Sequence, residues 1–426
     1  MSNFLDIGIR QELTDILKKN GISKPTQIQE QSIPALLKGR DVIAQAHTGT
    51  GKTLAFLLPI MEAVEPDKSF VQALIITPTR ELAIQITAEA KKLTEGKGVN
   101  ILSAYGGQDV ERQVKRLKGN IHIVIATPGR LIDHLRRESI EFSKLKMMVL
   151  DEADQMLHLG FLKDIEDIVC NTPKRRQTMF FSATMPEQIR KLASRYMKNP
   201  LHIQAENKNI VLDEIKQVVV KTTEKGKLDA LCNYIDENNP FMAIIFCNTK
   251  NATMKLNEEL CTRGYNCNEL HGDMIQSKRE KVMKSFRKLE LPFLVATDLA
   301  ARGLDIEGIT HVFNYEITHD TKLHIHRIGR TGRAGESGIA VTFVTPESAE
   351  ALRSIEKGIK MTIKNDKGTD EGKEIEKKAD HKSKKYGQNR NKKNTDSKDS
   401  KYGQNRNKKN SDSKDSKDSK YKTKKR

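Results

Sequence analysis

Residues 42–53 read VIAQAHTGTGKT, and this stretch decides the fold. It opens with a short apolar run, Val42–Ala44, which predicts a buried strand, and it leads into the helical run Leu54–Met61. Between the two lies the glycine-rich segment Ala46–Thr53. Glycines let backbone N–H groups approach phosphates, and the N-terminus of the following helix favours anions. The sequence therefore predicts a phosphate-binding loop, with a chance glycine-rich turn as the alternative.

The last two residues of this loop carry specific chemistry. Lys52 is expected to reach the β and γ phosphates of a nucleotide. The Thr53 hydroxyl is expected to be a ligand of Mg²⁺. A nucleoside triphosphate with its magnesium ion is the predicted cofactor.

Two adjacent carboxylates follow another predicted strand further along the chain. Met147–Leu150 runs directly into Asp151 and Glu152. Ligands of open α/β sheets bind at the carboxyl ends of the strands, so this pair is expected beside the phosphate loop. Asp151 is predicted to hold Mg²⁺, largely through water, and Glu152 to orient and deprotonate an attacking water. An acidic helix N-terminus is the alternative for this pair.

Three arginines lie within seven residues in the second half of the chain. The segment His326–Arg333 reads HRIGRTGR. Phosphoryl transfer needs positive charge on the γ phosphate, and an arginine from a facing domain supplies it only when the cleft closes. Arg330 and Arg333 are the predicted residues, and a basic surface loop is the alternative.

Short apolar runs alternate with helical patterns, and the series restarts after the polar residues 206–209. Alternation of this kind predicts a mostly parallel sheet covered by helices, here in two successive α/β domains. A length of 426 residues fits two domains. The predicted strands are Val42–Ala44, Ala73–Ile76, Ile101–Ala104, Ile121–Ala126, Met147–Leu150 and Met179–Phe181, then Lys216–Val220, Ala243–Phe246, Phe293–Ala296, His311–Phe313 and Ile339–Val344. The predicted boundaries are 1–205 for the first domain, 206–213 for a hinge, 214–364 for the second domain and 365–426 for a tail.

The tail holds most of the chain's charge. The formal net charge is +18, and residues 381–426 contribute 13 of it through 18 Lys and Arg against 5 Asp. A 16-residue unit repeats at Lys385–Ser400 and Lys401–Ser416, without aliphatic residues that could form a core. Such a composition predicts disorder, and clustered cations gain affinity by displacing counterions from phosphates. We interpret the tail as an RNA-binding arm, with a solvated linker as the alternative.

The five cysteines form no C-x-x-C pair, which argues against a zinc site or a disulfide framework. The N-terminus lacks a basic start followed by a long apolar run, and no stretch approaches about 20 apolar residues. A reducing cytoplasmic location without membrane insertion is the expectation.

The motifs over residues 1–345, taken in order, resemble the helicase core of the bacterial DEAD-box ATP-dependent RNA helicases. The resemblance implies two tandem RecA-like domains, each a mostly parallel sheet with helices on both faces, followed by a disordered C-terminal tail. The matching segments are GISKPTQIQ at 21–29, the phosphate loop, PTRELA at 78–83, GG at 106–107, TPGR at 127–130, DEAD at 151–154, SAT at 182–184, HGDM at 271–274 with Gln276 and Arg279, ATDLAARGLD at 296–305, and HRIGRTGR at 326–333.

The resemblance also implies a role for individual residues. Gln29 would recognise adenine, which favours ATP. The implied nucleotide contacts are Phe4, Gln29, Thr48, Gly49, Thr50, Gly51, Lys52, Thr53, Gly303 and Asp305. The implied RNA contacts are Pro78, Thr79, Arg80, Gly107, Thr127, Gly129, Arg130, Arg279 and Thr297. The residues implied to couple hydrolysis to strand separation are Asp154, Ser182, Thr184 and His326.

The predicted RNA residues offer hydroxyls, backbone amides and guanidinium groups, which suit a sugar-phosphate backbone and read few bases. For Arg80 and Arg130 a structural salt bridge stays open as an alternative. The predicted function is an RNA-dependent ATPase that locally and non-processively separates short RNA duplexes or remodels RNA–protein complexes. Ribosomal precursors and the RNA-decay machinery are the candidate partners. The rival functions are an ATP-gated RNA clamp, a DNA translocase and a metabolic P-loop kinase.

Overall fold

The computed structural model describes residues 3–46, 49–204, 215–301, 306, 308–332 and 337–366. Within these residues the chain forms two seven-stranded sheets, and every strand pairing is parallel. We call residues 3–204 the first lobe and residues 215–366 the second lobe. Both lobes belong to one compact unit. The predicted α/β class and the tandem arrangement are confirmed.

The first lobe alternates strands and helices almost throughout. Its strands are β1 (Val42–Gln45), β2 (Ala73–Ile76), β3 (Ile101–Ala104), β4 (Ile123–Ala126), β5 (Met147–Asp151), β6 (Gln177–Ser182) and β7 (Leu201–Gln204). Its helices are α1 (Gln11–Lys19), α2 (Gln27–Leu37), α3 (Lys52–Ala63), α4 (Arg80–Leu93), α5 (Val110–Leu117), α6 (Pro128–Arg136), α7 (Ala153–His158), α8 (Leu162–Cys170) and α9 (Glu187–Tyr196). The strand order across the sheet is β3-β4-β2-β5-β6-β1-β7.

The second lobe repeats the same plan. Its strands are β8 (Ile215–Lys221), β9 (Ala243–Cys247), β10 (Cys267–Leu270), β11 (Phe293–Thr297), β12 (His311–Asn314), β13 (Gly338–Val344) and β14 (Lys364–Asn365). Its helices are α10 (Lys227–Asn238), α11 (Lys250–Thr262), α12 (Gln276–Arg287), α13 (Asp298–Ala301), α14 (Thr321–Ile328) and α15 (Ala349–Ile359), with a 3₁₀ turn at Pro346–Ser348. The strand order is β10-β11-β9-β12-β13-β8-β14.

The central strands are buried on both faces, which explains why their sequences are continuous apolar runs rather than alternating ones. In the first lobe, residues of β2 point alternately into two separate apolar clusters, one on each side of the sheet. The second lobe has the same arrangement around β9 and β11. The helices on each face cover these clusters, so binding residues can collect at the carboxyl ends of the strands.

Every predicted strand is present within the described residues, with small shifts at the ends. Three strands, β7, β10 and β14, were not predicted from the sequence. All three lie at the edge of a sheet; the polar residues of β7 are exposed and those of β10 are partly buried. An edge strand does not need an apolar run, so its sequence carries a weak signal. The predicted hinge at 206–213 lies outside the described residues, as does the tail beyond Asp366.

No helix in the described part of the chain is both long and apolar enough to cross a lipid bilayer.

Candidate active site

The strand order of the first sheet divides its carboxyl edge into two halves. The phosphate loop, the acidic segment 151–154 and the segment 182–184 lie at the ends of β1, β5 and β6, which are neighbours. The segments predicted to contact RNA follow β2, β3 and β4, which are neighbours on the other side. Loops at the carboxyl ends of parallel strands meet at one edge. The fold therefore places the predicted nucleotide residues and the predicted RNA residues side by side on one surface.

The phosphate loop is held against the start of α2. Gln29 donates from Nε2 to the carbonyl of Gly51 over 2.9 Å, and its Oε1 accepts from the backbone N–H of Thr26 over 2.9 Å. The Thr26 hydroxyl donates to the carbonyl of Thr50 over 2.8 Å. Gly51 has a φ of +87°, and a Cβ there would lie 2.5 Å from Gln29 Nε2, so only glycine fits. Gln29 thus supports the phosphate loop from a buried position.

A cavity of about 490 Å³ opens in front of the phosphate loop. Its size lies within the range of small-molecule sites. The first lobe contributes the loop, the two carboxylates and one face of α4, while the second lobe contributes Arg330. The residues that line it are Asn20, Ile22, Lys24, Thr26, Gln29, Gly49, Gly51, Lys52, Thr53, Leu54, Leu82, Gln85, Glu89, Lys92, Asp151, Glu152 and Arg330.

Asp151 and Glu152 are fully desolvated at the floor of this cavity. Burial, more than the adjacent Asp151 carboxylate, raises the pKa of Glu152 to about 7, although Lys52 and Arg330 oppose the shift. Burial also raises the pKa of Asp151, against the attraction of Lys52. Glu152 has a left-handed backbone, with φ +52° and ψ +48°, where α7 begins. Strained backbone of this kind concentrates at functional sites, and here it turns the chain sharply between the two carboxylates.

Two buried polar atoms in the cavity have no hydrogen-bond partner in the protein. Lys52 Nζ and Glu152 Oε2 are both in this position, and Lys52 is only 7% exposed. Leaving a buried charged group unpaired is costly, so such atoms call for a ligand. An ammonium group and a carboxylate that face one cavity suit the phosphates of a nucleotide and its attacking water.

The side chains present also fit a magnesium ion. Thr53 and Asp151 line the same cavity and provide a hydroxyl and a carboxylate, and Mg²⁺ prefers few protein oxygens, with water and phosphate oxygens as its other ligands. Among the described residues there is no group of three or more His, Cys, Asp or Glu side chains that could enclose a metal. Thr53 and Asp151 would hold the ion, which would neutralise charge on the phosphates.

The raised pKa of Glu152 predicts how ATP turnover depends on pH. A general base must be deprotonated, so kcat/KM should rise with pH and level off above about pH 7. Below that pH the rate should fall by up to about tenfold per pH unit. A pH profile of steady-state ATP turnover measures this, with the residual rate of Glu152→Gln as the control that should lack the inflection. A flat wild-type profile across this range would contradict the assignment of Glu152 as the base.

Asp154 links the acidic segment to the end of β6. Its carboxylate accepts from both the backbone N–H and the hydroxyl of Thr184 over 2.8 Å each. The backbone N–H of Asp154 donates to the Ser182 hydroxyl oxygen over 3.1 Å, and that hydroxyl donates to the carbonyl of Thr184 over 2.7 Å. Burial favours the neutral acid, but the contacts with Thr184 and Ser182 outweigh it and lower the pKa of Asp154. These hydrogen bonds connect the acidic segment at the cavity to Thr184.

Thr184 reaches the second lobe. It lines a small cavity with Gln155 and His158 of the first lobe and with His326 of the second. His326 is half-buried, and its carbonyl accepts a hydrogen bond from Arg330 Nε over 3.2 Å. Of the four residues predicted to couple hydrolysis to strand separation, Asp154, Ser182 and Thr184 are joined by hydrogen bonds. His326 faces Thr184 across the shared cavity.

The predicted RNA residues of the first lobe surround the carboxyl ends of β2, β3 and β4. Gly129 is exposed, Arg80 and Arg130 are half-buried, and Pro78, Thr79 and Thr127 are largely buried. The Thr79 hydroxyl accepts from the backbone N–H of Leu82 and caps α4. Arg130 donates to Gln113 Oε1 over 3.2 Å and to the carbonyl of Gln108 over 3.1 Å. Thr79 therefore has a structural role, and Arg130 is held by neutral acceptors rather than by a salt bridge.

Arg80 and Gly107 meet the second lobe. Arg80 donates from Nη1 to Gln276 Oε1 over 3.1 Å. Gly107 has a φ of +83°, and a Cβ there would lie 2.6 Å from Arg80 Nη1 and 3.0 Å from Gln276 Cβ. The close approach requires glycine, and it brings the part of the first sheet's edge that carries the predicted RNA residues against the start of α12. Thr297, at the end of β11, is half-buried.

Arg279, one of the predicted RNA contacts, lies between the two lobes. It is 6% exposed and forms an ion pair with Glu81 of the first lobe, with Nη2 and Nε of the arginine 2.6 Å and 2.8 Å from Oε1 of the glutamate. Its Nη1 donates to the carbonyl of His271 over 2.7 Å. In the described structure Arg279 is therefore a contact between the lobes. Its contact with RNA stays a prediction.

This pair yields a double-mutant prediction. Removing one partner of a buried ion pair leaves the other charge uncompensated, and here the lobes can relieve that cost by separating. Glu81→Gln and Arg279→Gln should each weaken RNA binding in the presence of an ATP analogue by roughly tenfold, and the double variant should lose little more. Fluorescence anisotropy with labelled single-stranded RNA measures the cycle. Fully additive losses would show that the two side chains act separately.

Models of two protein families match this chain. The model of the family described as "DEAD/DEAH box helicase" matches residues 26–192. The model described as "Helicase conserved C-terminal domain" matches residues 226–335. The chain is also 45% identical over 360 residues to the DEAD-box ATP-dependent RNA helicase CshA of Bacillus licheniformis, covering 84% of this chain and 74% of the relative. The chain belongs to the DEAD-box family of ATP-dependent RNA helicases.

Other relatives and solved structures agree with this assignment. A CshA from Limosilactobacillus reuteri is 47% identical over 354 residues, which are 83% of this chain and 71% of that protein. The structure of Saccharomyces cerevisiae Dbp5 bound to RNA and ADP–BeF₃ superposes with a TM-score of 0.80 at 31% identity, covering 88% of this chain and 98% of the other. Mss116p bound to single-stranded RNA and AMP-PNP superposes with a TM-score of 0.78 at 32% identity, covering 87% and 80%.

Phe4, one of the predicted nucleotide contacts, lies in the apolar core of the first lobe. Phe4 is 0% exposed and lies in the apolar cluster with Leu13, Leu17 and Ile28. Phe4 is not among the residues that line the cavity, and its contact with a nucleotide stays a prediction. Several other predicted residues, Thr48, Gly303, Asp305 and Arg333, lie outside the described residues.

Arg327 also shapes the DEAD-box site, although it was not predicted from the sequence. Arg327 is fully buried and pairs with Asp298, with Nε of the arginine 2.6 Å from Oδ1, and it donates to Asn248 Oδ1 over 2.7 Å. It joins the ends of β9 and β11 beneath Arg330. The three arginines of this segment were visible in the sequence, but their spacing alone did not show which of them is fully buried.

Proposed function

We propose that this DEAD-box chain separates short RNA duplexes locally and non-processively, by closing its lobes on ATP and one RNA strand and releasing the strand after hydrolysis. The observation that supports this is the composition of the nucleotide cavity. Arg330 of the second lobe lines it together with Lys52, Asp151 and Glu152 of the first. A site completed only by both lobes makes closure and hydrolysis interdependent.

The proposed steps follow from the positions of these side chains. Lys52 binds the phosphates, Glu152 takes a proton from the attacking water, and Arg330 stabilises the charge that develops on the γ phosphate. Thr53 and Asp151 would hold magnesium, which would supply further charge neutralisation. The Asp154–Ser182–Thr184 network and His326 pass the change at the phosphates to the lobe interface. The RNA half of the edge lies next to that interface, so closure also acts on the bound strand.

Strand displacement on duplexes of two lengths tests the proposal. The expected result is ATP-dependent release of a strand from a duplex of about one helical turn and almost none from a duplex of several turns, because each closure disrupts only the segment it bends. Single-stranded DNA of the same sequence should fail to stimulate ATP turnover. Tight ATP-dependent binding without displacement would favour an RNA clamp, and stimulation by DNA would favour a translocase.

The basic tail gives a separate prediction. Cutting the chain after Asp366 keeps the backbone hydrogen bond from Asp366 to Val219, 2.9 Å long, and so preserves β14. Loss of the following residues should weaken RNA affinity and flatten its salt dependence, because fewer counterions are released. Saturated ATP turnover should stay close to that of the full chain. A chain ending at Ser400 retains one repeat unit and should be intermediate, whereas an unchanged salt slope in both would refute the arm.

We further propose a cytoplasmic setting in which the substrates are ribosomal precursors and messenger RNA undergoing decay. An enzyme that reads the backbone suits the many short duplexes of these RNAs, and the need for it grows in the cold, when duplexes are more stable. Co-sedimentation with ribosomal precursors in cells shifted to low temperature tests the idea. Absence from those fractions, together with unchanged RNA half-lives on deletion, would refute it.

A further inference from the structure

Two cysteines of the second lobe face each other at the edge of the sheet. Cys261 lies in the last turn of α11 and is exposed, whereas Cys267 is the first residue of β10 and is buried. Their Sγ atoms are 3.2 Å apart. A disulfide bond is about 2.05 Å long, so closing the gap requires a movement of about 1 Å.

Their surroundings hold the two thiols in place. Tyr265 lies between them in the chain, packs edge-on against Phe293 with the ring centres 6.1 Å apart, and donates to Asp236 Oδ1 over 2.8 Å. The turn from α11 into β10 is therefore anchored on both sides. Among the described residues no third His, Cys, Asp or Glu completes a metal-binding group here. The arrangement is that of a dithiol rather than a zinc site.

The two sulfurs differ in accessibility, and this sets an order of reaction. Exposed Cys261 can meet a dissolved oxidant directly. Burial raises the pKa of the Cys267 thiol, with a smaller contribution from Cys261, so Cys267 carries little thiolate. The attacking nucleophile on an oxidant is the thiolate, and hence Cys261 is the sulfur that reacts first.

We propose that Cys261 and Cys267 form a reversible redox modification site that reacts with hydroperoxides. The Cys261 thiolate attacks the O–O bond and becomes a sulfenic acid, while the peroxide is reduced and, after taking up a proton, leaves as water or an alcohol. The Cys267 sulfur then attacks the Cys261 sulfur as it gives up its proton, a disulfide forms, and the hydroxyl leaves with that proton as water. A dithiol reductant returns both groups to thiols.

The disulfide would tie the end of α11 to β10, which is the edge strand of the second sheet and pairs only with β11 among the described strands. β10 leads directly to His271, whose carbonyl accepts from Arg279, the partner of Glu81 in the first lobe. The modification thus braces the strand that supports the lobe contact. Neither sulfur lines the nucleotide cavity.

The test treats the folded full-length protein with hydrogen peroxide and maps the peptides by mass spectrometry, with dimedone as the trap for sulfenic acid. Wild type should yield a Cys261–Cys267 disulfide that dithiothreitol removes. Cys267→Ser should instead accumulate a dimedone adduct at Cys261. Cys170→Ser is the matched control, because Cys170 is exposed but belongs to α8 of the first lobe, and it should form the disulfide as wild type does.

Cys261→Ser removes the sulfur that reacts first without disturbing the core, because the Cys261 side chain is exposed. This variant should form no disulfide at Cys267 and should keep wild-type ATP turnover after peroxide treatment. The proposal is overturned if wild type, shown by thermal melting to be folded, forms no Cys261–Cys267 disulfide. It is also overturned if Cys261 and Cys170 are oxidised equally and neither is resolved into a disulfide.

Discussion

Glu152→Gln should lower RNA-stimulated ATP turnover by about 10²- to 10⁴-fold, the usual contribution of a general base. The substitution keeps the size of the side chain and removes its ability to accept a proton. Glu152 lies beside Lys52 in the nucleotide cavity with one carboxylate oxygen unpartnered in the protein. Binding of ATP and RNA should survive, because the phosphate loop and the RNA half of the edge are unchanged. A coupled assay of phosphate release measures the loss.

The same variant should be more stable than wild type at alkaline pH. The pKa of Glu152 is raised to about 7, so the folded state holds this proton where the unfolded state has lost it. Stability therefore falls as pH rises from the ordinary carboxyl range to about 7, and Gln removes that loss. Thermal melting at pH 8 checks this, with exposed Glu95→Gln as the control. Turnover that survives in Glu152→Gln would mean that another group is the base.

Arg330→Gln should lower turnover at saturating ATP and RNA by about 10³-fold, the lower end for an arginine that stabilises a transferring phosphoryl group. Arg330 reaches the nucleotide cavity from the second lobe and attracts the Glu152 carboxylate. The charge is needed most in the transition state, so kcat should fall far more than KM rises. Arg330→Lys should recover part of the rate, since it keeps the charge but loses the planar fork of donors.

Single-turnover kinetics with preformed complexes separate this effect from weaker binding. Exposed Arg353→Gln on α15 is the matched control in the same lobe and should behave as wild type. Equal loss in Arg353→Gln would show a general charge effect. A change in Arg330→Gln confined to KM would place Arg330 in ground-state binding and refute its proposed role.

The features that sequence could predict are those that depend on local chemistry. The phosphate loop and the adjacent carboxylates are short segments whose residue types define their function, and the apolar runs around them mark strands buried on both faces. The structure places Lys52, Asp151 and Glu152 together as expected. The parallel sheet explains this, because all these segments follow strand ends at one edge.

The features that sequence could not predict depend on distant partners. Arg279 lies in a segment that resembles an RNA-binding motif, and only the folded chain shows that it pairs with Glu81, almost 200 positions earlier. Nothing around Phe4 in the sequence indicates that its side chain is fully buried. β10 lacks an apolar run because an edge strand does not need one. Tertiary packing, not local propensity, decided each of these cases.

The predicted ATP residues and the predicted RNA residues lie side by side on one sheet edge, which leads to the central proposal that closure of the lobes couples the two ligands. The most direct measurement is the affinity for single-stranded RNA with and without a non-hydrolysable ATP analogue, paired with the affinity for the analogue with and without RNA. We expect each ligand to strengthen binding of the other by the same factor, about 5- to 150-fold. Affinities that do not change when the other ligand is present would contradict the coupling and the account built on it.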